Sequence, residues 1–253
     1  MSRIKHIVTY FLLSVTVLLN VQCQRNTKTE KQITKADFNF SGRRLAEVHD
    51  PLYQSWVVNE ATKTENTFGK VTVKLNGNFK SNWVKTGMSA PYYAQLISDG
   101  LVTENRLELV ISGLKPGEHS LQTFHNTFDK IDNKLVTPIK IYVNNELVQT
   151  IQQSNRAFAK IDAATAYMIF NAEENQDVVI RFEGEKGFDI SEFVINGFEI
   201  DTPNLKKQAH SPQPENADDH VVVEKNLQLK WQSPKETKVH HIYIGKNKEA
   251  IKN

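Results

Sequence analysis

The sequence predicts an all-β protein whose main body, residues 35–201, is an antiparallel β-sandwich. Apolar residues recur at a period of two rather than 3.6, their runs are short, and Gly, Pro and Asn separate them. Only residues 154–164 hint at helical spacing. About ten short strands of this kind bury one face each, and two packed sheets are the ordinary way to do so.

Phe38 and Phe40 begin an extended segment, and Phe68-Gly69-Lys70 leads into Val71, Val73 and Leu75 with Thr and Lys between them. Leu107, Leu109 and Ile111 alternate with Arg106, Glu108 and Val110, the pattern of a strand with one face on a core. Gly113, Pro116 and Gly117 then turn the chain. His119, Leu121, Thr123 and His125 run back as the expected hairpin partner and deliver residues 125–129 to a loop. Ile139, Ile141 and Val143 are joined through Asn144-Asn145 to Leu147, Gln149 and Ile151. A type I′ hairpin is expected there, because Asn tolerates positive φ. Further strands are expected over 167–170, 178–182 and 193–200, the last with Asn196-Gly197 as an internal bulge.

The flanks differ in composition. Arg3 and Lys5 precede an apolar stretch, residues 7–21, that is short for a membrane span of roughly 20 residues and suits a signal peptide over 1–23. Cys23 is the one cysteine, so no intramolecular disulfide can form. Cleavage before Cys23 leaves an N-terminus for lipidation and outer-membrane anchoring; cleavage after it leaves a secreted chain. Both remain open, and residues 24–34 read as a tether in either case. Residues 202–226 carry Pro203, Pro212 and Pro214 among charged and amide residues, the composition of a linker. In 227–253, Leu227, Leu229 and Trp231 alternate and a second strand begins near His241. A sandwich module of ~100 residues cannot close from two strands, so this segment reads as incomplete and the chain as C-terminally truncated.

Net charge is +2, and no basic run interleaves with aromatics, so a nucleic-acid partner is not expected. The sequence has no G-x-S-x-G elbow and no phosphate loop, and Gly184 to Gly187 reads as a turn. His240-His241 lacks metal-ligand spacing, so neither a metal nor a cofactor is expected and no catalytic residue is assigned. What remains suits a sugar, whose apolar ring face and hydroxyl rim ask for an aromatic platform beside planar polar groups. The candidates are Trp83, Tyr92, Tyr93, His125, Asn126 and Asp129; Trp83, Tyr92 and Tyr93 are equally readable as core, His125 as a structural histidine capping a turn, and Trp56 leans toward the core.

FNFSGR (38–43), FGKVTVKL (68–75), KSNW (80–83), ISGLKPGEHSLQTFHN (111–126), PIKIYVN (138–144) and INGFEID (195–201) together resemble malectin-like carbohydrate-binding sandwiches of exported bacterial polysaccharide-degrading proteins. The tail resembles the opening strands of an immunoglobulin-like or fibronectin type III-like module. The resemblance implies a galactose-binding-type sandwich, a polysaccharide partner such as ulvan, and a place in a polysaccharide-utilisation system. Its alternative is the N-terminal portion of a polysaccharide lyase or other glycan-degrading enzyme, or a lyase in which His125 and Tyr92 or Tyr93 act as base and acid and Arg156, Lys160 or Arg181 neutralises a uronate.

Overall fold

Fifteen strands among the described residues arrange themselves chiefly into two facing sheets. The computed structural model describes residues 32–58, 64–83, 92–127, 132, 134–214, 227–234, 239, 240, 242, 244 and 245. The signal segment, Cys23 and Asp129 lie outside the described residues, as do the side chains of Tyr92 and Tyr93.

The strands are β1 (Thr34–Asn39), β2 (Gln54–Val57), β3 (Glu65–Phe68), β4 (Val71–Asn82), β5 (Gly100–Ser112), β6 (Gly117–Thr127), β7 (Ile139–Val143), β8 (Glu146–Ile151), β9 (Ser154–Asn155), β10 (Ala164–Ala172), β11 (Val178–Gly184), β12 (Glu192–Ile195), β13 (Gly197–Ile200), β14 (His210–Gln213) and β15 (Lys230–Gln232). The first sheet runs β10-β6-β13-β1-β2, with β9 added to β6; the second runs β3-β4-β5-β11-β7-β8, with β12 added to β5. Pairing is antiparallel except at β1–β2 and β6–β9. The fold is therefore the expected all-β sandwich.

Alternation explains the core. Val71, Val73 and Leu75 of β4, Leu107, Leu109 and Ile111 of β5, and Ile180 and Phe182 of β11 face Phe38, Leu121, Met168 and Phe198 of the opposite sheet. Trp56, on β2, is 3% exposed, with its ring 5.2 Å from Phe38 and 5.9 Å from Phe68. Each such side chain contributes about 1.5–3 kcal/mol by leaving water. The Asn144-Asn145 turn forms as expected, with φ of 46° and 74°.

Two connections depart from expectation. The turn after Ser112 does not close a hairpin: β5 bonds to β4, β11 and β12 in one sheet, whereas β6 bonds to β10 and β13 in the other. Gly113, at φ 77°, makes the crossing possible; a Cβ there would stand 2.0 Å from Lys70 O. Period-two alternation reports which face is buried, and it says nothing of which strand lies alongside. Likewise residues 193–200 are not one bulged strand. β12 pairs with β5, β13 pairs with β1 and β6, and Asn196 is the residue at which the chain changes sheets.

The outer face of the first sheet is itself covered. Short 3-10 turns at Tyr92–Ile97, Lys160–Asp162 and Leu205–Lys207, with the helix Leu45–Val48, lie over it. Tyr53, Ala94, Leu96, Ile97, Phe124, Ala157 and Ala163 form a second apolar cluster there, with Leu205 packed against it. Hence every residue of β6 from Leu121 to Thr127 is buried, on both faces of the strand. Residues 154–164 supply β9 and one of these turns, and no longer helix.

Past Asp201 the chain stays on the sandwich. Leu205 N donates to Gln122 Oε1 at 2.8 Å, and Lys206 Nζ donates to Ile161 O. Residues 202–208 thus depart from the solvated linker expected of their composition. β14 and β15 pair with each other, and Trp231 lies 5.8 Å from the His240 ring.

Candidate functional site

The double burial of β6 decides the fate of two expected contact residues. His125 is 0% exposed: its Nδ1 lies 2.8 Å from Val194 O, its Nε2 lies 2.8 Å from Thr123 Oγ1, and its ring lies 5.7 Å from Phe182. Burial pushes its pKa down to about 4, which keeps the imidazole neutral. Asn126 is also 0% exposed, donating through Nδ2 to Ile97 O and accepting from Ala157 N and Ser154 Oγ at Oδ1. Both are structural interior groups and present no surface to a ligand. The pattern His119, Leu121, Thr123, His125 was the inward face of β6, not a route to a loop.

Trp83 stands half-buried just beyond β4, with the Arg43 guanidinium 3.3 Å from its ring centroid. Its indole N–H is buried without a hydrogen-bond acceptor among the described residues. The Arg43 guanidinium thus occupies an aromatic face that a sugar platform would leave open. Tyr92 and Tyr93 open the 3-10 turn Tyr92–Ile97.

Beneath the outer layer lie two charged clusters. The Tyr53 hydroxyl donates to Glu199 Oε1 and receives Lys160 Nζ at 3.0 Å, with Lys35 Nζ 3.5 Å from the same carboxylate. Burial lowers the Lys160 pKa. In the second cluster Asp37 Oδ2 accepts Asp50 N at 2.7 Å and lies 3.2 Å from His49 Nδ1, while Asp99 Oδ2 accepts Phe40 N at 2.7 Å. Burial raises Asp37 to about 6 and raises Asp99 well above the usual carboxylate range, with the Asp37 charge adding to the effect on Asp99. The Asn39 carboxamide favours both charged forms, yet its Nδ2 meets neither in good hydrogen-bond geometry. These clusters tie the outer segments to the sheet. Among the described residues no three His, Cys, Asp or Glu side chains are placed to hold a metal.

An open polar groove lies on the second sheet, and sequence reasoning missed it. Between the pairs Gly77↔Leu107 and Phe79↔Thr103, one residue of β4, Asn78, faces three of β5: Glu104, Asn105 and Arg106. Asn105 takes φ 65°. On its other side β5 pairs with β12 up to Glu104 and with β11 from Arg106 onward, so both neighbouring ladders break at Asn105. Thr103 Oγ1 donates to Asn78 O at 2.7 Å and fixes the distortion. Gly77, at φ 136°, lets β4 approach; a Cβ there would stand 2.7 Å from Arg106 O.

Bulges of this kind re-aim side chains beside binding sites. The result is a depression of about 330 Å³ lined by Asn76, Asn78, Glu104, Asn105, Arg106 and Glu108 together with Gly77. It adjoins one of about 270 Å³ that shares Asn78, Glu104 and Asn105 and adds Phe79, Lys80, Val102, Thr103 and Glu192. Arg106 pairs with Glu108, and Lys80 Nζ lies 2.8 Å from Glu192 Oε1. Carboxamides, carboxylates and a guanidinium are planar groups that can each engage two neighbouring hydroxyls. No periodic signal marks this site: Glu104, Asn105 and Arg106 are three polar residues in a row just ahead of the alternating Leu107, Leu109 and Ile111.

No protein-family description matches the chain, and no curated protein matches it. Among solved structures, a family 35 carbohydrate-binding module from Clostridium thermocellum is 13% identical over 52% of this chain and 92% of the module, with a TM-score of 0.30. The ANX1 ectodomain from Arabidopsis thaliana is 13% identical over 67% of this chain and 41% of the ectodomain, with a TM-score of 0.41. An exo-β-1,3-galactanase from Phanerochaete chrysosporium is 10% identical over 51% of this chain and 27% of the enzyme, with a TM-score of 0.32. The chain thus spans less than half the length of the ectodomain and of the galactanase. The likenesses are partial, and the chemistry of the site rests on this chain's own residues.

Proposed function

We propose that the chain is an exported, non-catalytic glycan-binding module that contacts polysaccharide through the groove between β4 and β5. The observation that carries this reading is the one-against-three bulge at Asn78 and Asn105. It opens a trough on an otherwise flat sheet and lines it with planar polar groups suited to hydroxyl pairs. The resemblance of residues 111–126 and 195–201 to malectin-like sandwiches points the same way. The N-terminal sequence supports export, with Cys23 either acylated as an anchor or lost with the signal segment. Burial of His125 weighs against a lyase in which that residue is the base.

Affinity electrophoresis of the chain through gels containing individual polysaccharides, ulvan among them, tests the reading. At least one polymer should retard the chain, and Asn78→Ala should relieve the retardation while the melting temperature stays within about 2 °C, as expected for an exposed side chain. Unretarded migration in every polymer overturns the proposal.

A further inference from the structure

The groove's charges, more than its shape, discriminate among glycans. Its two cations are already committed: Arg106 to Glu108, and Lys80 to Glu192. Glu104 stands directly opposite Glu192 in the β5–β12 register and acts on Lys80 through space, so Lys80 sits between two carboxylates. Next to Arg106 across the sheet lies Glu183, itself 3.0 Å from Arg181 Nε. Lining carboxylates therefore outnumber lining cations, and among the described residues no groove cation lacks an acidic partner.

We infer that the groove takes neutral polysaccharides and rejects uronate and sulfated ones, an inference that rests on the glycan-binding reading above. An anionic sugar entering the trough would compete with Glu108 or Glu192 for its cation and would lie close to Glu104. Like charges at close range cost free energy, a cost that added salt would screen at this exposed site. A neutral sugar meets no such opposition. Its hydroxyls can donate to Glu104 and Glu108, and the amides of Asn76, Asn78 and Asn105 supply donors and acceptors at the rim. Glu104 and the three asparagines are all exposed, so their hydrogen-bonding groups are accessible.

The test compares retention of the chain by soluble β-1,3-glucan, xylan and mannan with retention by alginate and ulvan, at low and at 0.3 M salt. At least one neutral polymer should retain the wild-type chain with little change on adding salt, and the acidic ones should not retain it. Glu104→Gln, Glu104→Lys and Asn78→Ala should each weaken retention by the neutral polymer by about fivefold or more, the effect of losing one or two hydrogen bonds. Glu104→Lys should add salt-sensitive retention by alginate, because it supplies an uncommitted cation. All three variants should melt with the wild type.

Wild-type retention by alginate or ulvan in preference to neutral polymers overturns the inference and leaves the glycan reading intact. Retention by a neutral polymer that is indifferent to both Glu104→Gln and Asn78→Ala places the site elsewhere and also overturns the inference. Retention by none of the five polymers removes the glycan reading, and the inference falls with it.

Discussion

Asn126 and Asn196 hold each other across the point where the chain leaves one sheet for the other. Asn126 N donates to Asn196 Oδ1 at 2.7 Å, and Asn196 Nδ2 donates back to Asn126 O at 3.1 Å and to Asp99 O at 2.7 Å. Both residues are wholly buried. The Asn196 side chain therefore supplies the hydrogen bonds that a strand ladder cannot make at a change of sheet.

Asn196→Ala should be severe for that reason. It orphans a buried N–H and two buried carbonyls, at about 1–3 kcal/mol for each group left unpaired. A total loss of about 3–5 kcal/mol is expected in urea unfolding. A loss below about 1 kcal/mol would show that the sheet change does not depend on this amide.

Asp37 and His125 should act on stability in opposite directions as the medium is acidified through pH 6 toward 4. Asp37 titrates from an ordinary value of 3.8 when unfolded to about 6 when folded, and Asp99 shifts in the same direction. The folded chain therefore binds these protons more tightly. The contribution is fully present below the unfolded value and is lost as pH rises through about 6. His49, raised by its hydrogen bond to Asp37, works in the same sense. His125 works in the opposite sense, since its depressed pKa favours the fold above the usual histidine range.

Asp37→Asn isolates the carboxylate effect. It should raise stability at pH 8 by about 2–3 kcal/mol, from a shift of roughly two units at 1.36 kcal/mol each, and remove the gain on acidification that Asp37 contributes between about pH 6 and 4. A variant as pH-dependent as the wild type would remove Asp37 from the account.

His125→Ala should lower stability by about 2–4 kcal/mol, because it opens a cavity beside Phe182 and strands Val194 O. Measured below the variant's melting temperature, glycan retention should be unchanged. Weakened retention with intact stability would return His125 to the binding surface.

Much of the sandwich was legible in sequence because burial on one face of a strand writes itself as alternation. β4, β5, β7 and β11 show it, and Asn144-Asn145 announced its turn through residues that accept positive φ. Partner choice was not legible. The Gly113 turn reads alike whether the next strand lies beside β5 or across the core from it, and only the hydrogen bonds of β6 to β10 and β13 decide. Nor did the sequence show the outer layer that covers Gln122, Phe124 and Asn126, which is why His125 and Asn126 were expected near a ligand. The groove was invisible for a different reason. Three residues of β5 opposing one of β4 leave the hydrophobic pattern on both sides of the break intact.

Polysaccharide held at the β4–β5 bulge would shift the backbone amide resonances there when the isotope-labelled chain is titrated with a soluble neutral oligosaccharide. Saturable shifts should gather at Asn76, Asn78 and residues 104–108, with the core amides of Leu121 and Phe182 unmoved. Shifts gathered instead at Trp83 and Arg43, with the β4–β5 residues silent, would contradict it.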